Sequence, residues 1–163
     1  MKPTTTLGAA VMLAASLLMA CGGEKEGLEI SNAFATEAAL GERAALYFTI
    51  TNHDVFQDVL EAVSTPAAAV SQIHRTITEG GRSHMERIGG IPIGPDTTIV
   101  LKPGSGYHIM LLDLQQRIAR GDTLTTRLQF RRSGALEIRA PVIAHSQVDS
   151  VLEAVEAAGD TSS

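Results

Sequence analysis

The chain has 163 residues, with 13 Lys and Arg against 18 Asp and Glu and a formal net charge of −5 at neutral pH. A mildly acidic chain with no basic run argues against nucleic acid as a partner. Cys21 is the only cysteine, which excludes an internal disulfide, a Cys-x-x-Cys redox pair, a thiolate zinc cluster and a cysteine nucleophile in the domain that follows it.

Residues 1–20 read as a lipoprotein signal peptide. Met1-Lys2 makes a positive start, and the apolar run from Leu7 to Ala20 is too short to span a bilayer comfortably. The run ends in Leu18-Met19-Ala20-Cys21, which resembles a bacterial lipobox with Cys21 as the lipidated residue; Met19 is its less usual element. A plain secretory leader is the alternative. Either way the protein is expected to be exported, and with lipid on Cys21 it is periplasmic or extracytoplasmic and anchored to a membrane. Gly22 in place of Asp favours the outer membrane in a two-membrane cell. No later apolar run reaches the roughly 18 residues that a spanning helix needs. Residues 21–27, from the lipidated Cys through Gly22-Gly23-Glu24-Lys25-Glu26-Gly27, form a polar tether.

Residues 28–145 read as one domain of short strands. Leu28 to Phe34 is the first, and Glu37 to Glu42 is a loop. Ala44 to Thr51 follows, where Leu46, Phe48 and Ile50 alternate with Tyr47, Thr49 and Thr51. Phe56 to Val63, Ala69 to Thr78, Arg82 to Ile88, Thr97 to Leu101, Tyr107 to Leu112, Thr123 to Arg131 and Leu136 to Val142 complete the set. Gly80-Gly81 marks a hairpin turn, and Gly89-Gly90 with Pro92 reads as an interruption. Strands this short and this regularly spaced favour an all-β antiparallel sandwich or barrel over alternating β and α. Residues 146–163 differ: Val148, Val151, Leu152 and Val155 recur at helical spacing, predicting a short amphipathic helix from Gln147 to Ala158 and a frayed end.

Chemistry concentrates between His74 and Met110. His108 and Met110 are two apart, so a strand points both to one face. If Glu79 faces Arg82 in the hairpin, His74 faces Arg87 and Met85 is its diagonal neighbour on the same face. A register with His74 directly opposite Met85 would also serve, whereas a one-residue slip would separate them. Two imidazoles and two thioethers suit a soft ion, Cu(I) above all. Zinc seldom takes thioether, and hard ions need clustered carboxylates that these segments lack. The missing thiolate argues against a blue-copper electron carrier and for holding and releasing Cu(I). His84 alternates with Met85 and should face away, a fifth donor being the alternative; His53 and His145 read as solvated. The Ser, His and Asp present include no Gly-x-Ser-x-Gly elbow, and Gly104-Ser105-Gly106 opens no helix, so no enzyme activity is expected.

Ten residues separate His74 from Met85 and 22 separate Met85 from His108, with His108-Ile109-Met110 closing the pattern. This resembles the motif of the periplasmic copper chaperones of the PCu(A)C type. The similarity extends over most of Phe34 to Phe130, including Ala45 to Asn52, Asp58-Val59-Leu60 and Leu101-Lys102-Pro103-Gly104. The resemblance implies a cupredoxin-like, Greek-key β-sandwich that binds one Cu(I) through His74, Met85, His108 and Met110. It also implies delivery to the dinuclear copper centre of cytochrome c oxidase subunit II, alongside a thiol-bearing copper chaperone. Phe34 stands where Trp is common, and the tail carries no Met- or His-rich extension for a second copper site. A storage or resistance protein, or a structural lipoprotein that merely retains His and Met, are the competing readings. In the structural reading at least one Met should point into the core.

Overall fold

The computed structural model describes residues 27–104 and 106–159. The expected signal peptide, Cys21 and most of the tether lie outside them. Ten strands run in chain order: β1 Leu28–Thr36, β2 Ala44–Asn52, β3 Asp58–Ser64, β4 Ala68–Glu79, β5 Arg82–Arg87, β6 Ile91–Ile93, β7 Thr97–Leu101, β8 Gly106–Leu114, β9 Thr123–Phe130 and β10 Gly134–Ile143. A 3₁₀ turn at His145–Gln147 leads into the helix α1, Val148–Gly159. Nine of the strands match those expected, with ends that differ by no more than two residues. The tenth, β6, covers Ile91-Pro92-Ile93, which the sequence presents as an interruption. It is a terminal strand of the sheet, paired among the described residues only with β3, and there proline interrupts no ladder on its other side. Ile91 and Ile93 are fully buried, which is what draws the segment onto the sheet.

The strand order is β5-β4-β8-β2-β1-β10-β9-β3-β6, with β7 alongside the second half of β2. The strands from β5 to β1 make one layer and those from β10 to β6 the other. All pairs are antiparallel except β1 with β10, where Ala35 meets Val142 and Thr36 meets Ile143. The two layers close on one core. Leu46, Phe48, Ile50, Ile109 and Leu111 come from the first, Leu60, Ile91, Leu128 and Phe130 from the second. Each such side chain contributes about 1.5–3 kcal/mol by leaving water. Asp58 ties the layer of β3 together. Its carboxylate accepts backbone N–H bonds from Val59 at 2.7 Å, Arg132 at 2.9 Å and Ser133 at 2.9 Å.

The alternation in β2 explains the helix. Leu46, Phe48 and Ile50 face the core, so Ala45 and Tyr47 face outward. There Phe34, Tyr47 and Val148 form a second buried cluster with Val151 and Leu152 against it. The amphipathic stretch therefore packs on the outer face of the first layer, over Phe34 of β1 and Ala45 and Tyr47 of β2.

Candidate metal centre

The hairpin between β4 and β5 sets the register. Gly80 has φ 56° and Gly81 φ 77°, so both central residues are left-handed and the two-residue turn is of type I′. Glu79 pairs with Arg82, Thr76 with Met85 and His74 with Arg87. Met85 is thus the diagonal neighbour of His74 on the same face, and the alternative register with His74 directly opposite it does not occur. His84 pairs with Ile77 and belongs to the other face.

The pairing of β4 with β8 completes the arrangement. His74 lies opposite His108 and Gln72 opposite Met110, while Met110 also faces Ala45 of β2. The two imidazoles are 5.6 Å apart between ring centroids, inclined at 56°. Neighbouring residues Ile73, Ile109 and Leu111 are buried in the core, so the period of two turns His74, His108 and Met110 outward. Met110 is half-buried and Met85 is 62% exposed; neither belongs to the core cluster.

Met85, His108 and Met110 line one open cavity of about 480 Å³, together with Tyr47, Thr76 and the start of α1 at Val148 and Asp149. His74 is not part of that wall; it joins the group through its contact with the ring of His108. His145 is exposed and also lines the cavity, so it is solvated but nearer the site than the sequence suggests. His53 is not simply solvated, because its Nε2 lies 3.0 Å from a carboxylate oxygen of Glu29. Phe34 packs against Tyr47 under the helix and is absent from the cavity wall. No pattern in the sequence places Tyr47, Val148 and Asp149 here. Their approach depends on where the helix docks, across about a hundred residues of chain.

The electrostatics favour neutral rings. Burial, then the nearby Arg87 guanidinium, pushes the His74 imidazole below its ordinary value. Burial, then His74 itself, does the same to His108. His108 is 5% exposed, and its Nε2 is buried with no hydrogen-bond partner among the described residues. Leaving such a group unpaired costs about 1–3 kcal/mol. His74 Nε2 lies 2.8 Å from Oε1 of Gln72. Among the described residues no three His, Cys, Asp or Glu side chains come together as a ligand set. The donors gathered here are two imidazoles with two thioethers, a soft set.

A family model for LpqE-like lipoproteins matches residues 28–142, the whole sandwich but for its last residue. The chain belongs to the LpqE-like lipoprotein family. One relative, named as a lipoprotein of Leifsonia xyli subsp. xyli, is 29% identical over 136 residues, covering 83% of this chain and 80% of the relative. Among solved structures, the copper-bound PCuAC domain from PmoF2 superposes with a TM-score of 0.61 at 25% identity, covering 75% of this chain and 94% of that domain. The Cu(I) form of DR1885 from Deinococcus radiodurans gives 0.58 at 25% identity, covering 73% and 81%. This LpqE-like chain therefore has the PCuAC fold, as its motif resemblance implies. Among the described residues no helix is long and apolar enough to cross a membrane.

Proposed function

We propose that this chain is an exported, lipid-anchored carrier of Cu(I), with His74, Met85, His108 and Met110 as the ligands of its cargo. The observation that carries this reading is the unpartnered Nε2 of His108. A buried nitrogen lone pair with nothing to accept from is costly, and a soft cation supplies the missing partner. The depressed pKa values of both rings support the reading further, since a metal binds the neutral imidazole. The similar PmoF2 domain is copper-bound and the similar DR1885 structure is a Cu(I) form, which supports the choice of metal.

The exposure of Met85 favours delivery over storage. A recipient's donor reaches the ion by ligand exchange, and a solvent-facing thioether on an edge strand is the ligand it can displace. The proposed recipient is the dinuclear copper centre of cytochrome c oxidase subunit II, served together with a thiol-bearing chaperone. Cys21 is the proposed attachment point of the lipid, after removal of residues 1–20. The domain limits proposed are 28–145 for the copper-binding sandwich and 146–163 for the helix and tail.

Cu(I) competition against a chromogenic chelator under reducing conditions tests the proposal. One equivalent of Cu(I) retained, and lost in a His108→Ala, Met110→Leu double variant, is the expected result. A folded protein that never competes for the metal would overturn it.

A further inference from the structure

Gln72 stands where the two imidazoles and Met110 meet. It precedes His74 by two residues on β4, so it shares the same face, and it lies opposite Met110 of β8. Its carboxamide oxygen is 2.8 Å from His74 Nε2. An amide oxygen has no proton to give, so in this contact Nε2–H of His74 donates and Gln72 accepts. Of the cross-strand neighbours of His74, Arg87 carries only donors, and the His108 ring stands 5.6 Å away between centroids.

A neutral imidazole has one N–H and one lone pair. With the proton held on Nε2, His74 is left with its lone pair on Nδ1, whereas His108 has an open Nε2. We propose that Gln72 is a positioning residue that fixes the tautomer of His74, so that His74 offers Nδ1 and His108 offers Nε2 to the same soft cation. This rests on the Cu(I) reading above. The partner that holds a ligating histidine's second nitrogen sets both its tautomer and its orientation, and losing it typically lowers metal affinity by about 10–100-fold.

Long-range ¹H–¹⁵N correlation on the purified chain, before and after addition of Cu(I) alone, reads the four ring nitrogens directly. In the metal-free protein His74 Nε2 is expected to carry the proton. On loading, His74 Nδ1 and His108 Nε2 should shift while His74 Nε2 stays protonated. Gln72→Leu should give a mixture of His74 tautomers and an affinity lower by roughly 10–100-fold. Gln72→Glu keeps an acceptor at that position and should restore the Nε2–H form, a rescue that a purely packing role would not produce. A His74 proton on Nδ1 in the metal-free chain overturns the proposal. So does a metal-induced shift at His74 Nε2, or a folded Gln72→Leu variant with parental tautomer and affinity. If Cu(I) moves no ring signal of His74 or His108, the carrier reading falls and the ligation half of this inference falls with it. The tautomer of the metal-free ring is still decided by the same spectra.

Discussion

Met110→Leu separates a ligand from a packing residue. Leucine nearly matches methionine in volume and hydrophobicity, and Met110 is half-buried on the outer face of β8, outside the core cluster. The fold should therefore lose less than about 1.5 kcal/mol. What leucine cannot replace is the sulfur lone pair. Removing a group that only orients a ligand already costs about 10–100-fold in metal affinity. Removing the donor itself should cost at least about 100-fold, or some 2.7 kcal/mol. Urea unfolding of the metal-free variant gives the first quantity and Cu(I) competition gives the second. The combination expected is a small stability change with a large affinity loss. A folded variant that binds Cu(I) within about threefold of the parent, under 0.7 kcal/mol, removes Met110 from the site and refutes the reasoning.

Met85→Leu should leave stability unchanged within about 0.5 kcal/mol, because the side chain is 62% exposed; its Cu(I) affinity should still fall, and an unchanged chelator competition would exclude it as a ligand. Acidification should act through both imidazoles, which burial, then Arg87 for His74 and His74 for His108, holds below the ordinary 6.5. The unfolded chain takes up those protons first, so their contribution to stability is complete above about pH 6.5 and drains away as pH falls toward the folded values. Protons also compete with Cu(I), so affinity should drop over the same interval, at lower pH than for free imidazole. A binding profile flat from about pH 7 to 4 would argue against imidazole ligation. Asp58→Ala should destabilise the sandwich by roughly 2–4 kcal/mol in urea unfolding, since three backbone N–H groups lose a charged acceptor. A loss below about 1 kcal/mol would mean that water replaces the carboxylate.

The sandwich was legible because its strands alternate cleanly and its turns carry glycine. Leu46, Phe48 and Ile50 in β2 announce a buried face, and Gly80-Gly81 announces a hairpin turn, though the choice between the two registers that put His74 and Met85 on one face is made only by the pairing of Glu79 with Arg82. The same rules pair His74 with Met85 and His108 with Met110; that the two pairs meet depends on β4 lying beside β8, which the motif resemblance implies and strand alternation does not. Ile91-Pro92-Ile93 was not, because proline argues against a strand wherever both sides must pair, and only the tertiary position at the end of the sheet lifts that objection. The parallel contact of β1 with β10 joins residues more than a hundred apart, and no local pattern encodes it. The same holds for the docking of α1. Its apolar stripe of Val148, Val151 and Leu152 predicted burial, but Phe34 and Tyr47 as its seat, and hence Asp149 and His145 at the cavity, are properties of the folded chain. Gln72 was invisible for a related reason. An isolated glutamine on a strand has no signal until the ring two residues on turns toward it.

X-ray absorption at the copper edge of the Cu(I)-loaded chain addresses the central claim most directly, because it counts donor types at the ion. The account predicts a first shell of imidazole nitrogen and thioether sulfur, with the sulfur contribution halved in Met110→Leu and the nitrogen contribution reduced in His108→Ala. A shell without sulfur, or one unaltered by both substitutions, would contradict it and place the metal elsewhere on the chain.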